Sequence, residues 1–261
     1  MTAAPLPRIY RAEAWAGGPA RVYDRLAAAL LARCPLPLAG ALLLDAGAGT
    51  GAVSAAAAAR GARVLATDVA VDMLRHDRTR RPPATAADVL ALPLRDGCVD
   101  VAATAFVLNH LADPAAALRE LSRVVRPGGA VLAATFAARS DDALKHDVDA
   151  VLAAHGYRPP PWYRRMKDEL EPPTARPELL ARTARRAGLH RPRVEEVEVG
   201  MGMLDARALA GFRLGAPAVA GYLDTLDEPR RSRVWAEAER AAEAARPYVA
   251  RMLVLSSTVA A

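Results

Sequence analysis

Short apolar runs recur through the first half of the chain, each closed by Gly, Pro or Asp and followed by residues with helical spacing. The first complete unit is Ala41–Asp45, a buried strand by its continuous apolar character, then a glycine turn, then an Ala-rich helix from Ala52 to Arg60 that Gly61 terminates. Ala62–Asp68 repeats the theme as a second strand ending in a carboxylate. Pro82-Pro83 interrupts the helical stretch carrying Met73 and Leu74, and Ala84–Asp88 reads as a short third strand. Val99–Phe106 is a continuous apolar strand of the kind buried on both faces of a parallel sheet. Asp113-Pro114 has the capping residue and first-turn proline of a helix start; Leu118, Leu121 and Val125 line one face, and Pro127-Gly128-Gly129 ends it. Ala130–Phe136 is the fifth strand.

Strands alternating with helices require a doubly wound α/β sheet with right-handed crossovers. Ahead of it, Pro5–Trp15 and Pro19–Arg33 carry helical patterning, with Tyr23, Leu26, Leu30 and Leu31 on one stripe. Behind it the pattern loosens. Helices are expected over Asp141–His155 and Pro177–Ala187, two or three more over Asp205–Arg246, and strands over Val194–Val199 and Arg251–Val259. Pro159–Tyr163 reads as a rigid loop bearing aromatics. No repeat or low-complexity linker divides the chain, so one domain is expected over 1–261, with a helical lid at 1–38, a core at 39–137 and cap insertions with the last strands at 138–261.

Composition changes this picture little. Hydrophobic residues at 52% and charged residues at 25% are ordinary for a globular chain. The net charge of +6 comes almost entirely from scattered Arg, with no dense basic tract interleaved with aromatics, so nucleic acid is not the expected partner. Arg75–Arg81 reads as a solvated helix end. Cys34 and Cys98 have no metal spacing and read as small buried residues. Asp141, Asp142, His146, Asp147 and Asp149 spread around a helix axis, so no metal is expected there. Neither a signal pattern nor a membrane-length apolar run is present, which makes a cytoplasmic protein the expectation.

The chemistry centres on Asp45-Ala46-Gly47-Ala48-Gly49-Thr50-Gly51. Glycines at such a turn let the backbone approach a ligand, and the N–H groups of the helix start are expected to face it. The spacing can be fitted to the dinucleotide fingerprint, but Asp45 would repel a pyrophosphate and attract an ammonium. In a doubly wound sheet the ligand lies beyond the carboxyl ends of the strands, where Asp45, Asp68 and Asp88 would gather. A carboxylate so placed can accept from paired hydroxyls, as Asp68 would, or from an amine on a ring, as Asp88 would while the Val89 N–H donates to the same ring.

These residues resemble the class I methyltransferases that use S-adenosylmethionine. The glycine turn with Asp45 is similar to their first motif, and Asp68–Leu74 to the segment after their second strand, although Ala70 stands where that family often has Ser. Ala87–Leu94, Phe106–His110, Asp113-Pro114 and Arg123–Gly129 resemble the ubiquinone-biosynthesis-like, small-molecule branch, so the likeness is strong over about residues 40–137. It implies a seven-stranded sheet of order 3-2-1-4-5-7-6 with the last strand antiparallel. It implies S-adenosylmethionine as cofactor, S-adenosylhomocysteine as product, and a cofactor set of Asp45, Ala46, Gly47, Ala48, Gly49, Gly51, Asp68, Val69, Met73, Asp88, Val89 and Phe106. Methyl transfer to a hydroxyl needs an in-line nucleophile and a proton acceptor, and His110, after the fourth strand, is the candidate base. Asn109 would orient the substrate or cap a turn.

Aromatics concentrate in the flanks, which points to an apolar or aromatic small-molecule substrate held by Tyr10, Trp15, Tyr23, Tyr157, Trp162 and Tyr163. Three alternatives stand beside a small-molecule methyltransferase acting as monomer or homodimer. One is a protein of this fold that binds the cofactor but catalyses a non-methylating step. Another is a nucleic-acid methyltransferase, which the missing Asn/Asp-Pro-Pro-aromatic signature disfavours. The last is a nicotinamide dehydrogenase, which Asp45 and the turn at Asp88 disfavour.

Overall fold

The computed structural model describes residues 9–79, 81–138, 143–202 and 204–260. Its centre is a seven-stranded sheet of order β3-β2-β1-β4-β5-β7-β6. The strands are β1 (Leu42–Ala46), β2 (Arg63–Asp68), β3 (Ala84–Ala86), β4 (Val99–Ala105), β5 (Val125–Phe136), β6 (His190–Gly200) and β7 (Val249–Thr258). The first five run parallel, and β7 is antiparallel to both of its neighbours. This is the order that the resemblance implies.

The period of two in a strand sends successive side chains to opposite layers. Leu43, Val101 and Leu132 join the apolar layer that holds the N-terminal and C-terminal helices, while Leu44, Ala102, Val131 and Ala133 join the layer built on Leu118, Leu121 and Leu180. Continuous apolar strands are therefore what a sheet covered on both faces demands.

The helices before the sheet are α1 (Ala12–Gly17) and α2 (Pro19–Leu31); Pro5–Arg8, where the first was expected to begin, lie outside the described residues. Within the sheet region follow α3 (Ala52–Ala58), α4 (Val71–Arg75) and α5 (Pro114–Val124). Asp113 caps α5, its side chain accepting from the Ala115 N–H at 3.1 Å. Helix α5 stops at Val124 and Val125 already pairs with Val99, so Pro127–Gly129 lies within β5 rather than between a helix and a strand. At Gly129 a Cβ would lie 2.5 Å from the Asp100 carbonyl, so only glycine lets the two strands close there.

The second half contributes α6 (Ala143–Ala154), α7 (Pro161–Arg165), α8 (Pro177–Arg186), α9 (Ala206–Leu214), α10 (Pro217–Leu223) and α11 (Glu228–Ala244). The Pro159–Tyr163 segment is not a loop: its prolines open α7, which continues into a wider turn over Met166–Leu170. Helix α9 packs against α2, α6 and α11, so the N-terminal and C-terminal helices share one apolar layer over the sheet. Gly18 and Gly211 set that closeness, because a Cβ on Gly18 would fall 2.1 Å from the Gly211 carbonyl oxygen. Cys34 and Cys98 are free and only partly buried, less enclosed than their small apolar character suggests.

Candidate functional site

One cavity of about 850 Å³ opens at the carboxyl ends of β1, β2 and β4, where the winding of the sheet reverses. Asp45, Gly47, Ala48, Gly49, Asp68, Val69, Met73, Asp88, Val89 and Phe106 line one end. Tyr10, Trp15, Tyr23, Trp162 and Tyr163 line the other, and Asn109 and His110 stand between. Three residues expected here are not in the wall. Ala46 is fully enclosed in β1, Gly51 turns away toward Ser54 and Arg81, and Tyr157 is buried against Tyr222 with ring centroids 5.4 Å apart.

The glycine turn works differently from a donor cradle. The N–H groups of Gly47 and Ala48 both donate to the Thr67 carbonyl, at 2.8 and 2.9 Å, and the Gly51 N–H donates to the Ala48 carbonyl at 2.8 Å. The Gly49 N–H donates to Asp68 Oδ2 at 2.7 Å. These donors, expected to face the ligand, are consumed by the turn's own neighbours. A pyrophosphate would need them free, so the turn suits a ligand whose near end is cationic. Gly47 is required on two counts: its φ is +79°, and a Cβ would meet Val107 Cγ2 at 2.3 Å.

The carboxylates follow from strand ends. Asp45 is 1% exposed, and its Oδ2 accepts from both the Ser54 N–H (2.9 Å) and the Ser54 hydroxyl (2.7 Å), tying β1 to α3. Burial, with the Asp68 charge adding to it, raises the Asp45 carboxyl to about 6 against these hydrogen bonds and the Arg81 cation. Asp68 Oδ1 accepts from the Ala70 N–H at 2.7 Å, so this one side chain joins the glycine turn to the β2–α4 turn; burial raises its carboxyl too. Asp88 is exposed, and its Oδ1 accepts from the Leu90 N–H at 2.9 Å. Its turn is held from α5, where Glu120 accepts from the Leu92 N–H (2.8 Å) and Arg123 donates to the Leu94 carbonyl (2.8 Å).

At the end of β4 the chain reverses through Phe106, a non-glycine residue with φ +59°, whose N–H still donates to the Ala134 carbonyl at 2.7 Å. A bulky residue in that region carries about 1–3 kcal/mol of strain. The reversal starts the tight turn Leu108–His110 and points Asn109 and His110 into the cavity. His110 Nε2 lies 3.2 Å from the Tyr10 hydroxyl, and its Nδ1 is buried without a hydrogen-bond partner among the described residues, as is Asn109 Oδ1. Burial, helped by the Lys167 ammonium, lowers the His110 imidazole to about 4, and burial holds the Tyr10 phenol above its ordinary range. Both are neutral at pH 7.

The far end is a connected set of rings. Tyr23 lies 4.7 Å from Trp15, 5.0 Å from Phe106 and 6.1 Å from both Phe136 and Phe212, and Phe106 lies 4.5 Å from Phe136. Charged groups that the sequence did not single out also reach this wall. Arg213 grips Asp149 with three contacts of 2.7–2.9 Å, Lys145 lies 5.0 Å over the Phe136 ring, and Lys167 pairs with Glu171 at 2.6 Å. Asp149 thus has an arginine partner; Asp141 and Asp142 lie outside the described residues.

Residues 44–133 match the family model described as a methyltransferase domain. Over 100 residues the chain is 40% identical to a demethylmenaquinone methyltransferase of Corynebacterium kroppenstedtii, covering 38% of this chain and 44% of that one, so it spans under half the length of that relative. Among solved structures it is similar to a protein of Anabaena variabilis classed as a methyltransferase from an antibiotic biosynthesis pathway (TM-score 0.61, 19% identity, 92% of this chain and 100% of that one). It is also similar to phosphoethanolamine N-methyltransferase 2 of Haemonchus contortus, solved with phosphomonomethylethanolamine and S-adenosylhomocysteine (TM-score 0.53, 15% identity, 90% of this chain and 52% of that one). Residues 44–133 thus carry a methyltransferase domain, and the strand order around it is the one that the resemblance to class I S-adenosylmethionine-dependent methyltransferases implies.

Proposed function

We propose that this chain transfers a methyl group from S-adenosylmethionine to a small apolar or aromatic metabolite. The observation that carries the reading is one cavity whose wall holds three carboxylates, Asp45, Asp68 and Asp88, together with a set of aromatic rings and with Asn109 and His110. The donor chemistry fits the cofactor: Asp45 suits its ammonium, Asp68 its two ribose hydroxyls and Asp88 its adenine amine. When bound, the cofactor supplies an electrophilic methyl on a sulfonium centre.

The residues then divide the work. Asp45, Asp68 and Asp88 hold one reactant; Trp15, Tyr23, Phe136 and Phe212 hold the other and exclude water from the gap. His110 can accept or donate one hydrogen bond at Nδ1 toward the cavity, with Tyr10 fixing the ring through Nε2. An imidazole lowered to about 4 is a weak proton acceptor. The matching nucleophile is therefore an already acidic hydroxyl or an electron-rich carbon, which needs orientation more than deprotonation.

The test is to incubate the protein with methyl-labelled cofactor and a panel of small phenols, enols and quinols, following label by mass spectrometry. Label in a small-molecule product, with S-adenosylhomocysteine formed, is the expected result. Substrate consumed while the label stays on the cofactor would leave the fold reading standing and remove methyl transfer.

A further inference from the structure

Arg81 does not line the cavity, yet its guanidinium ends among the groups that shape it. Nη1 donates to the carbonyls of Met73 and Leu74, both at 3.0 Å, at the C-terminal end of α4, and Nη2 donates to the Gly49 carbonyl at 3.2 Å. The Gly49 residue is thereby gripped on both sides, its N–H by Asp68 and its C=O by Arg81. We infer that Arg81 is a positioning residue for the cofactor, locking the glycine turn onto α4 from behind so that Asp45 and Asp68 keep their places in the wall.

The geometry asks for arginine in particular. Three carbonyls on two segments are reached by two nitrogens of one planar fork, which a single ammonium cannot reproduce. Gly49 has φ +52°, a conformation that glycine adopts freely and leaves equally freely, so a turn built on it needs an external tie. Position also gives the cation a second effect. It sits close enough to Asp45 and Asp68 to favour the ionised form of both carboxyls, which burial opposes, while burial lowers the guanidinium itself. Among the described residues the groups facing Asp45 are Ser54 from α3, Asp68 from β2 and Arg81, and of these Arg81 alone brings positive charge. The sequence placed Arg81 in a solvated helix end; the structure turns it inward.

The inference rests on the cofactor reading of this end of the cavity, and the experiment separates the two. Binding of S-adenosylhomocysteine is measured by calorimetry for the wild type, Arg81→Lys and Arg81→Gln between about pH 5 and 8, with thermal melts of the ligand-free proteins as folding controls. Arg81→Lys keeps the charge and loses the fork, so affinity at neutral pH should fall about tenfold while the acid limb of the binding profile stays in place. Arg81→Gln loses both, so its affinity should fall at least as far and its acid limb should move to higher pH as Asp45 loses its cation. Should Arg81→Gln not fold, Arg81→Lys carries the test alone. Wild-type affinity in a folded variant overturns the positioning role, and so does an Arg81→Gln acid limb that coincides with the wild type. No binding by the wild type overturns the cofactor reading instead.

Discussion

The two ends of the cavity are built on opposite plans. The end proposed for the cofactor uses backbone turns and three short carboxylates, each at or just beyond the end of a parallel strand and each bonded to backbone N–H groups at 2.7–2.9 Å. The end proposed for the substrate uses large rings from α1, α2, α7, α9 and two strand ends, held by contact with one another. In the first, geometry comes from local chain spacing; in the second, from packing of segments far apart in sequence. A change at one end should therefore spare the other, and the plans should fail in different ways.

The sharpest separation should come from Asp68→Ala. It removes the acceptor for two backbone N–H groups and, on the proposed function, for the ribose, so S-adenosylhomocysteine affinity should fall by about 1.5–3 kcal/mol, the range for hydrogen bonds to a charged group. Substrate-end variants provide the contrast, and equal losses from Trp162→Ala in the same calorimetry would break the comparison. Next in size, Gly18→Ala forces a Cβ against the Gly211 backbone. Overpacking of this kind costs about 1–3 kcal/mol, so the melting temperature should drop and the substrate KM rise with little change in cofactor affinity. An unaltered KM would show that the lid does not shape the substrate end.

Dependence on pH should divide along the same line. Asp45, raised to about 6, is ionised above that value, so cofactor affinity should be level at neutral pH and fall about tenfold per unit below 6. His110, lowered to about 4, stays neutral down to that value, so turnover at saturating cofactor should hold from pH 7 until about 4. An acid limb near 6.5 in turnover would mean that the imidazole is not buried as the structure shows. The smallest effect belongs to Tyr10→Phe, which removes one hydrogen bond to His110 worth about 0.5–1.5 kcal/mol. It should lower kcat severalfold and leave cofactor affinity alone.

The same contrast explains what was legible in the sequence. That Asp45, Asp68 and Asp88 share one cavity wall could be read from the sequence because a parallel sheet puts the ends of successive strands in one place, and strand ends show in the apolar pattern. Tyr10, Trp15, Trp162 and Tyr163 were expected at the substrate end only as a class, from their absence in the core, and Tyr157 shows the weakness of that signal: it packs inward against Tyr222. Nothing local marks Arg213 or Lys145, because their neighbours Asp149 and Phe136 arrive through tertiary folding. The internal use of the Gly47 and Ala48 N–H groups was equally hidden, since the acceptor is a carbonyl on the adjacent strand. Pro159–Tyr163 was misread because prolines that break helices also begin them.

The left-handed turn at Phe106 limits how far this corner can be stabilised without cost to the cavity. A residue that holds an unfavourable backbone while its ring touches both Tyr23 and Phe136 binds the protein's robustness to its usefulness. Selection for heat resistance alone would favour glycine there, which is at ease with φ +59°. That route would remove a ring that packs on both Tyr23 and Phe136 and would loosen the turn that carries Asn109 and His110. A bulky residue at this corner therefore trades stability for the shape of the wall that carries Asn109 and His110.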